Sequence, residues 1–229
     1  MFAEDITSAN IVGFQDVAVP SGFCMRTSTF KALTGDYKIS DIKVTNCPGG
    51  GGDMVQLMNS DGTWGNAYYY LTMDGTGYVE DGWYKDDGGA EAVTDEDVIK
   101  IGQSFIVTSS SDFDFTFAGE VITGKPEVTI PAGFSIVGNP TPVEVKISGI
   151  EVIDCLGGGG DVGQKMNADG TWGDAYYYLT MDGTGYVEDG WYKDDGGAEA
   201  VTDEDILAAG DAMIFTATGE FTIKFPAAL

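Results

Sequence analysis

One stretch of 39 residues occurs twice. Residues 59–97 read NSDGTWGNAYYYLTMDGTGYVEDGWYKDDGGAEAVTDED, and residues 167–205 repeat them at an offset of 108 with only Ser60/Ala168 and Asn66/Asp174 changed. A self-match of this length makes the chain a tandem pair of like units, so its fold has to be built twice.

The offset also holds outside the block, through Cys47/Cys155 and the glycine runs 49–53 and 157–161 to Phe113/Phe221 and Phe117/Phe225. Upstream it becomes 111, where Val19-Pro20-Ser21-Gly22-Phe23 lies on Ile130-Pro131-Ala132-Gly133-Phe134. The flanks have drifted while the block has not, which points to gene conversion or to a shared job for the block. The 229 residues divide into units of ordinary domain size, expected at 1–121 and 122–229, with a strand in 1–14 open to exchange between subunits. No flexible linker separates the units, so the second is expected to dock tightly on the first.

Turn residues punctuate short apolar or alternating runs almost everywhere. Residues 11–14, 17–20, 37–44, 67–73, 104–108 and 113–117 read as strands, and 143–147 repeats the 37–44 pattern. Asp74-Gly75 and Asp81-Gly82 suit tight hairpin turns, and Thr94 with Asp97 suits the cap of one helical turn. Under about one residue in ten is expected to be helical. The fold class is all-β, with two tandem units of sandwich or jelly-roll type. At 43% hydrophobic residues the chain can fill such cores.

Charge narrows the partners. With 37 acids against 11 bases, a formal net of −26 and no histidine, the chain repels nucleic acid and anionic membrane surfaces. The two blocks carry ten and eleven of the acids with one base each. No run of 18 apolar residues is present, so no helical membrane insertion is expected.

Without histidine, the familiar triads are excluded and a cysteine nucleophile lacks its usual base, so no enzyme activity is expected. The Gly-Gly-Gly-Gly-Asp runs lack the following Lys-Ser or Lys-Thr of a phosphate loop, and close approach of a neighbouring backbone explains them better. Calcium is the candidate cofactor. Asp74, Glu80, Asp81, Asp86 and Asp87, with Asp182, Glu188, Asp189, Asp194 and Asp195, put hard oxygen ligands beside glycine turns, although the same acids suit turns and solvated surface. Trp64, Tyr68, Tyr69, Tyr70, Tyr78, Trp83 and Tyr84 suit a sugar-stacking platform or, more commonly, a core. Cys24, Cys47 and Cys155 make an odd set. Were the units related by translation, Cys47 and Cys155 would lie too far apart to bond. Cys24 with Cys47, Cys155 with a neighbouring molecule, or buried free thiols are then the alternatives.

The sequence stops at Leu229, where a further repeat would begin, and Ile6, Ile11, Val12 and Phe14 hold the place such a repeat would use. Copies of the chain are therefore expected to join head to tail, those residues meeting Phe221, Ile223, Phe225 and Leu229 of the next copy as a donated strand. The pattern of 11–14 with 19–23, then Asp81-Gly82-Trp83-Tyr84, Gly102-Gln103-Ser104-Phe105 and Phe117-Ala118-Gly119-Glu120, resembles a group of secreted bacterial β-repeat proteins without assigned function. That resemblance implies an exported structural protein and transfers no catalytic residue. Two functions follow as expectations: a structural subunit of a secreted filament or surface assembly, or a monomeric calcium-dependent carbohydrate-binding or adhesive module.

Overall fold

A computed structural model describes residues 11–59, 61–77, 79–86, 88–89, 91–167, 169–185, 187–194, 196–197 and 199–228. The first half holds β1 (Val12–Val19), β2 (Gly22–Thr27), β3 (Tyr37–Lys38), β4 (Lys43–Thr45), β5 (Gly50–Met58), β6 (Trp64–Leu71), α1 (Met73–Thr76), β7 (Gly82–Lys85), β8 (Val98–Ile99), β9 (Ser104–Ser109) and β10 (Phe113–Glu120). The second holds β11 (Glu127–Ile130), β12 (Gly133–Gly138), β13 (Val145–Lys146), β14 (Glu151–Ile153), β15 (Gly158–Met166), β16 (Trp172–Leu179), α2 (Met181–Thr184), β17 (Gly190–Lys193), β18 (Glu199–Ala200), β19 (Ile206–Leu207), β20 (Ala212–Ala217) and β21 (Phe221–Lys224). The protein is all-β. No helix among the described residues is long and apolar enough to cross a membrane.

Each half stacks a small sheet on a large one. In the first, β1-β10-β4 faces β2-β9-β5-β6-β7; in the second, β11-β21-β14 faces β12-β20-β15-β16-β17-β18. Alternation along the strands supplies the cores. Phe113, Phe115 and Phe117 of β10 point inward and meet Phe105 of β9 and Trp83 of β7, with Phe105 edge-on to Phe115 at 5.9 Å between centroids. In the other half Phe221 and Ile223 of β21, with Phe225 just beyond it, share a core with Phe215 and Trp191.

Several local expectations change. The runs 11–14 and 17–20 join as the single strand β1, because β10 offers a continuous partner from Glu120 to Phe113. The run 37–44 divides at a 3-10 turn, Ile39–Asp41, because β3 pairs with β8 whereas β4 pairs with β10, and the chain must change sheets between them. Trp83 Nε1 donates to Ile42 O at 2.9 Å and pins that corner. Asp74-Gly75 forms a one-turn helix rather than a hairpin turn. Thr72 Oγ1 accepts from Gly75 N at 2.8 Å, Asp81 Oδ1 accepts from Met73 N at 2.8 Å, and Gly77 closes the turn at φ 80°. Thr94 to Asp97 makes the expected cap bonds without a helix, since Asp97 turns its carboxylate into the protein and the chain enters β8 directly.

The terminal strands are seated within the chain. β1 pairs with β10 along its whole length, and Val121 N donates to Ile11 O at 2.7 Å. Phe221, Ile223 and Phe225 are buried in their own core, so their side chains face inward rather than toward a neighbouring copy. Ile6 and Leu229 lie outside the described residues.

The halves are related by exchange, not by translation. Thr27 N donates to Gly210 O at 3.0 Å, and the matching Gly138 N donates to Gly102 O at 3.2 Å. A β-carbon on Gly102 would strike Val128, and one on Gly210 would strike the matching Val17; Gly62 abuts the backbone of Phe134 as Gly170 abuts that of Phe23. Every such contact occurs twice with the partners swapped, the signature of a two-fold axis. Between the halves lie Met25, Met58, Ile136 and Ala212, flanked by Ile106, Met166 and Ile214. These alternate with core residues such as Cys24, Val107 and Phe215, so the large sheets meet through their outer faces.

Candidate functional site: paired clefts between the halves

The two-fold produces two equivalent clefts where the halves meet. One holds an open cavity of about 780 Å³. Its first-half wall carries Asp61, Trp64, Tyr68 and Glu96, and its second-half wall runs along Glu127 to Pro131 and Ser135 to Val137. Tyr68 is buried, while Trp64 is half exposed beside it. The Tyr68 hydroxyl donates to Asp97 Oδ1 at 3.0 Å, and Lys85 Nζ lies 3.1 Å from the other carboxylate oxygen. Burial would raise the Asp97 pKa, but the Thr94 amide, Lys85, Tyr68 and the Thr94 hydroxyl outweigh it and hold the carboxyl below its ordinary value. For the Tyr68 hydroxyl, burial dominates and pushes its pKa up to about 12. Ser135 is 5% exposed, lines the cavity, and its Oγ has no hydrogen-bond partner among the described residues.

The other cleft is occupied by the chain itself. Arg26, at the position matching Val137, donates Nε and Nη2 to Ala18 O at 2.9 and 2.8 Å and Nη1 to Asp211 Oδ1 at 3.0 Å. Lys165, matching Leu57, donates Nζ to Ile206 O at 3.1 Å and stands 5.7 Å above the Tyr176 ring centroid. Asp211, matching Gln103, has its pKa raised by burial against the opposing pull of Arg26 and Lys165. Short or neutral side chains on one side and long cations on the other decide which cleft is open. Asp61, Tyr68 and Glu96 belong to the repeated block and recur as Asp169, Tyr176 and Glu204, whereas Asn66 and Gln103 become Asp174 and Asp211.

Among the described residues, the acids proposed for calcium serve other local contacts. Asp81 and Asp189 accept from the Met73 and Met181 amides at 2.8 Å each. Asp86 and Asp194 face Tyr69 and Tyr177; burial, then Asp86, raises the Tyr69 pKa, and Asp194, then burial, pushes Tyr177 up to about 12. Glu80 and Glu188 lend their backbone carbonyls to Tyr84 and Tyr192, and Asp74 and Asp182 sit exposed in α1 and α2. No three acids or thiols among the described residues converge on a metal position. Asp87, Asp195 and Tyr78 lie outside those residues. Of the remaining aromatics, Tyr68 and Trp83 pack into the first core with Tyr70 against it, and Trp64 faces the cleft.

All three cysteines are free, so of the alternatives the sequence left open Cys24 and Cys47 do not bond to each other. Cys24 is enclosed in the first core. Cys47 Sγ donates to Asp53 Oδ2 at 3.3 Å and Cys155 Sγ to Asp161 Oδ2 at 3.4 Å, so each thiol already has a partner. Burial, aided by those carboxylates, pushes Cys47 up to about 12 and Cys155 to about 11. In the first glycine run the close approach falls at its first residue: a β-carbon on Gly49 would lie 2.7 Å from Thr72 N, and one on Gly75 opposite would lie 2.3 Å from Pro48 O, whereas at Gly50, Gly51 and Gly52 the nearest atoms stand 3.7, 3.7 and 3.5 Å away.

Sequence reasoning missed the clefts because their walls come from opposite halves. A signal was present in Phe105-Ile106-Val107 and Met213-Ile214-Phe215, apolar on both strand faces where a one-sided sheet would alternate. Comparison with protein-family models, curated proteins and solved structures finds no match to this chain.

Proposed function

We propose that this protein is an exported, non-catalytic recognition module of adhesive type, whose ligand seat is the open cleft between its halves. One observation carries the reading: of two equivalent clefts, one is filled by the chain's own Arg26 and Lys165, and the other is an open cavity of about 780 Å³ lined by Trp64 and Tyr68. Cavities of this size, with aromatic walls and a few polar groups, suit a small ligand or one anchoring side chain of a larger partner. The absence of histidine and the raised thiol pKa values favour binding over catalysis. Export is supported by the likeness to secreted β-repeat proteins and by an acidic surface suited to cationic partners.

The test is an array of glycans and short peptides of varied charge, probed with the wild type and with Val137→Arg, which fills the open cleft as Arg26 fills its mate. Spots bound by the wild type and lost in the variant are expected. No spot at all, or equal binding by both proteins, overturns the reading.

A second reading, association of copies through the small sheets, is favoured by the exposure of Ile11, Val12 and Phe14 along the edge strand β1. Size exclusion of the wild type against Phe14→Asp separates the two, since only association through β1 predicts a smaller particle for the variant.

A further inference from the structure

Resting on that cleft reading, we infer that the open cleft is a seat for an arginine side chain of a partner polypeptide, and that Arg26 in the mate cleft is the chain's own stand-in for it. Arg26 stands on β2 and its guanidinium reaches across to β1, capping the Ala18 carbonyl with two hydrogen bonds. The matching carbonyl in the open cleft belongs to Thr129, on the edge strand β11. In an antiparallel ladder the backbone groups of alternate residues face away from the partner strand. Phe225 N donates to Pro126 O, which leaves the Thr129 carbonyl facing away from β21, as Ala18 faces away from β10. An acceptor therefore stands where the guanidinium of Arg26 finds one in the mate.

The rest of the seat matches in part: the Asp211 carboxylate that receives Arg26 Nη1 is replaced by the neutral amide of Gln103, which accepts from Lys100 N and donates to Met58 O. Tyr68 presents to the open cleft the ring that in Tyr176 carries the Lys165 ammonium. Asp61, Glu96 and Glu127 line the cavity, Glu127 also pairing with Lys224, and Lys100 is the one cation among the lining residues. Carboxylates matching these three, Asp169, Glu204 and Asp16, occur on the mate side, which adds Asp174 and Asp211 where the open cleft has Asn66 and Gln103, together with the two resident cations. Ser135, which stands where the mate has Cys24, lines the same cavity. A planar cation with several donors and an apolar stem meets all of these features, which a neutral sugar or an anion does not.

The experiment titrates the full chain, by NMR and calorimetry, with a capped tripeptide Gly-Arg-Gly and with its citrulline counterpart, which keeps the shape and loses the charge. The arginine peptide is expected to bind at one site per chain and the citrulline peptide about tenfold more weakly or worse, as the loss of a charge-assisted contact implies. Val137→Arg, and the exposed change Glu96→Lys in case the first variant misfolds, are each expected to abolish binding. Arg26→Val with Lys165→Leu is expected to open the mate cleft and add a second site. Equal binding of the two peptides, or arginine binding untouched by both Val137→Arg and Glu96→Lys, overturns the assignment. Array ligands lost in Val137→Arg while the arginine peptide fails to bind would sink the guanidinium assignment and leave the cleft reading standing.

Discussion

Asp97 and Asp205 show how one side chain serves the fold and the cleft together. Each is buried, and each accepts from a threonine amide at 2.7 Å, from a tyrosine hydroxyl and from a lysine. Asp97→Asn is expected to cost about 2–3 kcal/mol in urea unfolding, the usual cost of weakening hydrogen bonds to a buried charge. Both carboxyls have folded pKa values below the ordinary one. Their stabilisation is therefore complete above the unfolded carboxylate pKa and is lost as pH falls through the folded values. Melting temperatures taken from about pH 6 to about pH 3 should drop more steeply for the wild type than for the Asp97→Asn, Asp205→Asn double variant, and parallel curves would refute the assignment. The thiols make a second test at this scale. With Cys24 pushed up to about 11 by burial, and Cys47 and Cys155 raised likewise, alkylation of the native protein at neutral pH should be far slower than of the urea-unfolded chain. Rapid native labelling of all three would contradict that burial. Sequence gave notice of the Thr94–Asp97 bonds through their spacing, but not of Tyr68 and Lys85 as the further partners of Asp97, because those contacts join strands far apart in the chain.

At the scale of elements, α1 and the glycine run beside it are packed backbone against backbone. Gly75 presses on the Pro48 carbonyl, whereas Gly77, at φ 80°, has open space where a β-carbon would stand. Gly75→Ala should therefore cost more than about 2 kcal/mol by overpacking against backbone, and Gly77→Ala about 1 kcal/mol from the left-handed conformation alone. Chemical denaturation of the two variants checks the ranking, and the reverse order would show that α1 is held differently. The strands themselves were largely readable from alternation and turn residues. The corner at Ile39–Asp41 was not, because a run that alternates like a strand reveals nothing about a change of sheet midway. Nor was α1, whose first amide is held by Asp81, a residue beyond the turn it serves.

At the scale of the whole molecule, a two-fold interface makes the halves a closed pair, with outer sheet faces that are each other's cover. Heating is expected to give one calorimetric transition. Ile106→Asp or Ile214→Asp, each setting a charge in the apolar seam, should cost about 3–5 kcal/mol and separate the unfolding of the halves into two transitions. A wild type that melts in two independent steps would show that the seam contributes little. The amino-acid order by itself determined the doubling, the all-β class, the acidic charge and most strands, since these depend on composition, period and self-identity along the chain. Tertiary structure alone decided that the doubled units face each other by rotation, that the thiols stay single, and that one of two like clefts is open. The reason is physical: those outcomes depend on which outer faces bury each other and on whether Arg26 or Val137 stands at a junction, and linear spacing records neither.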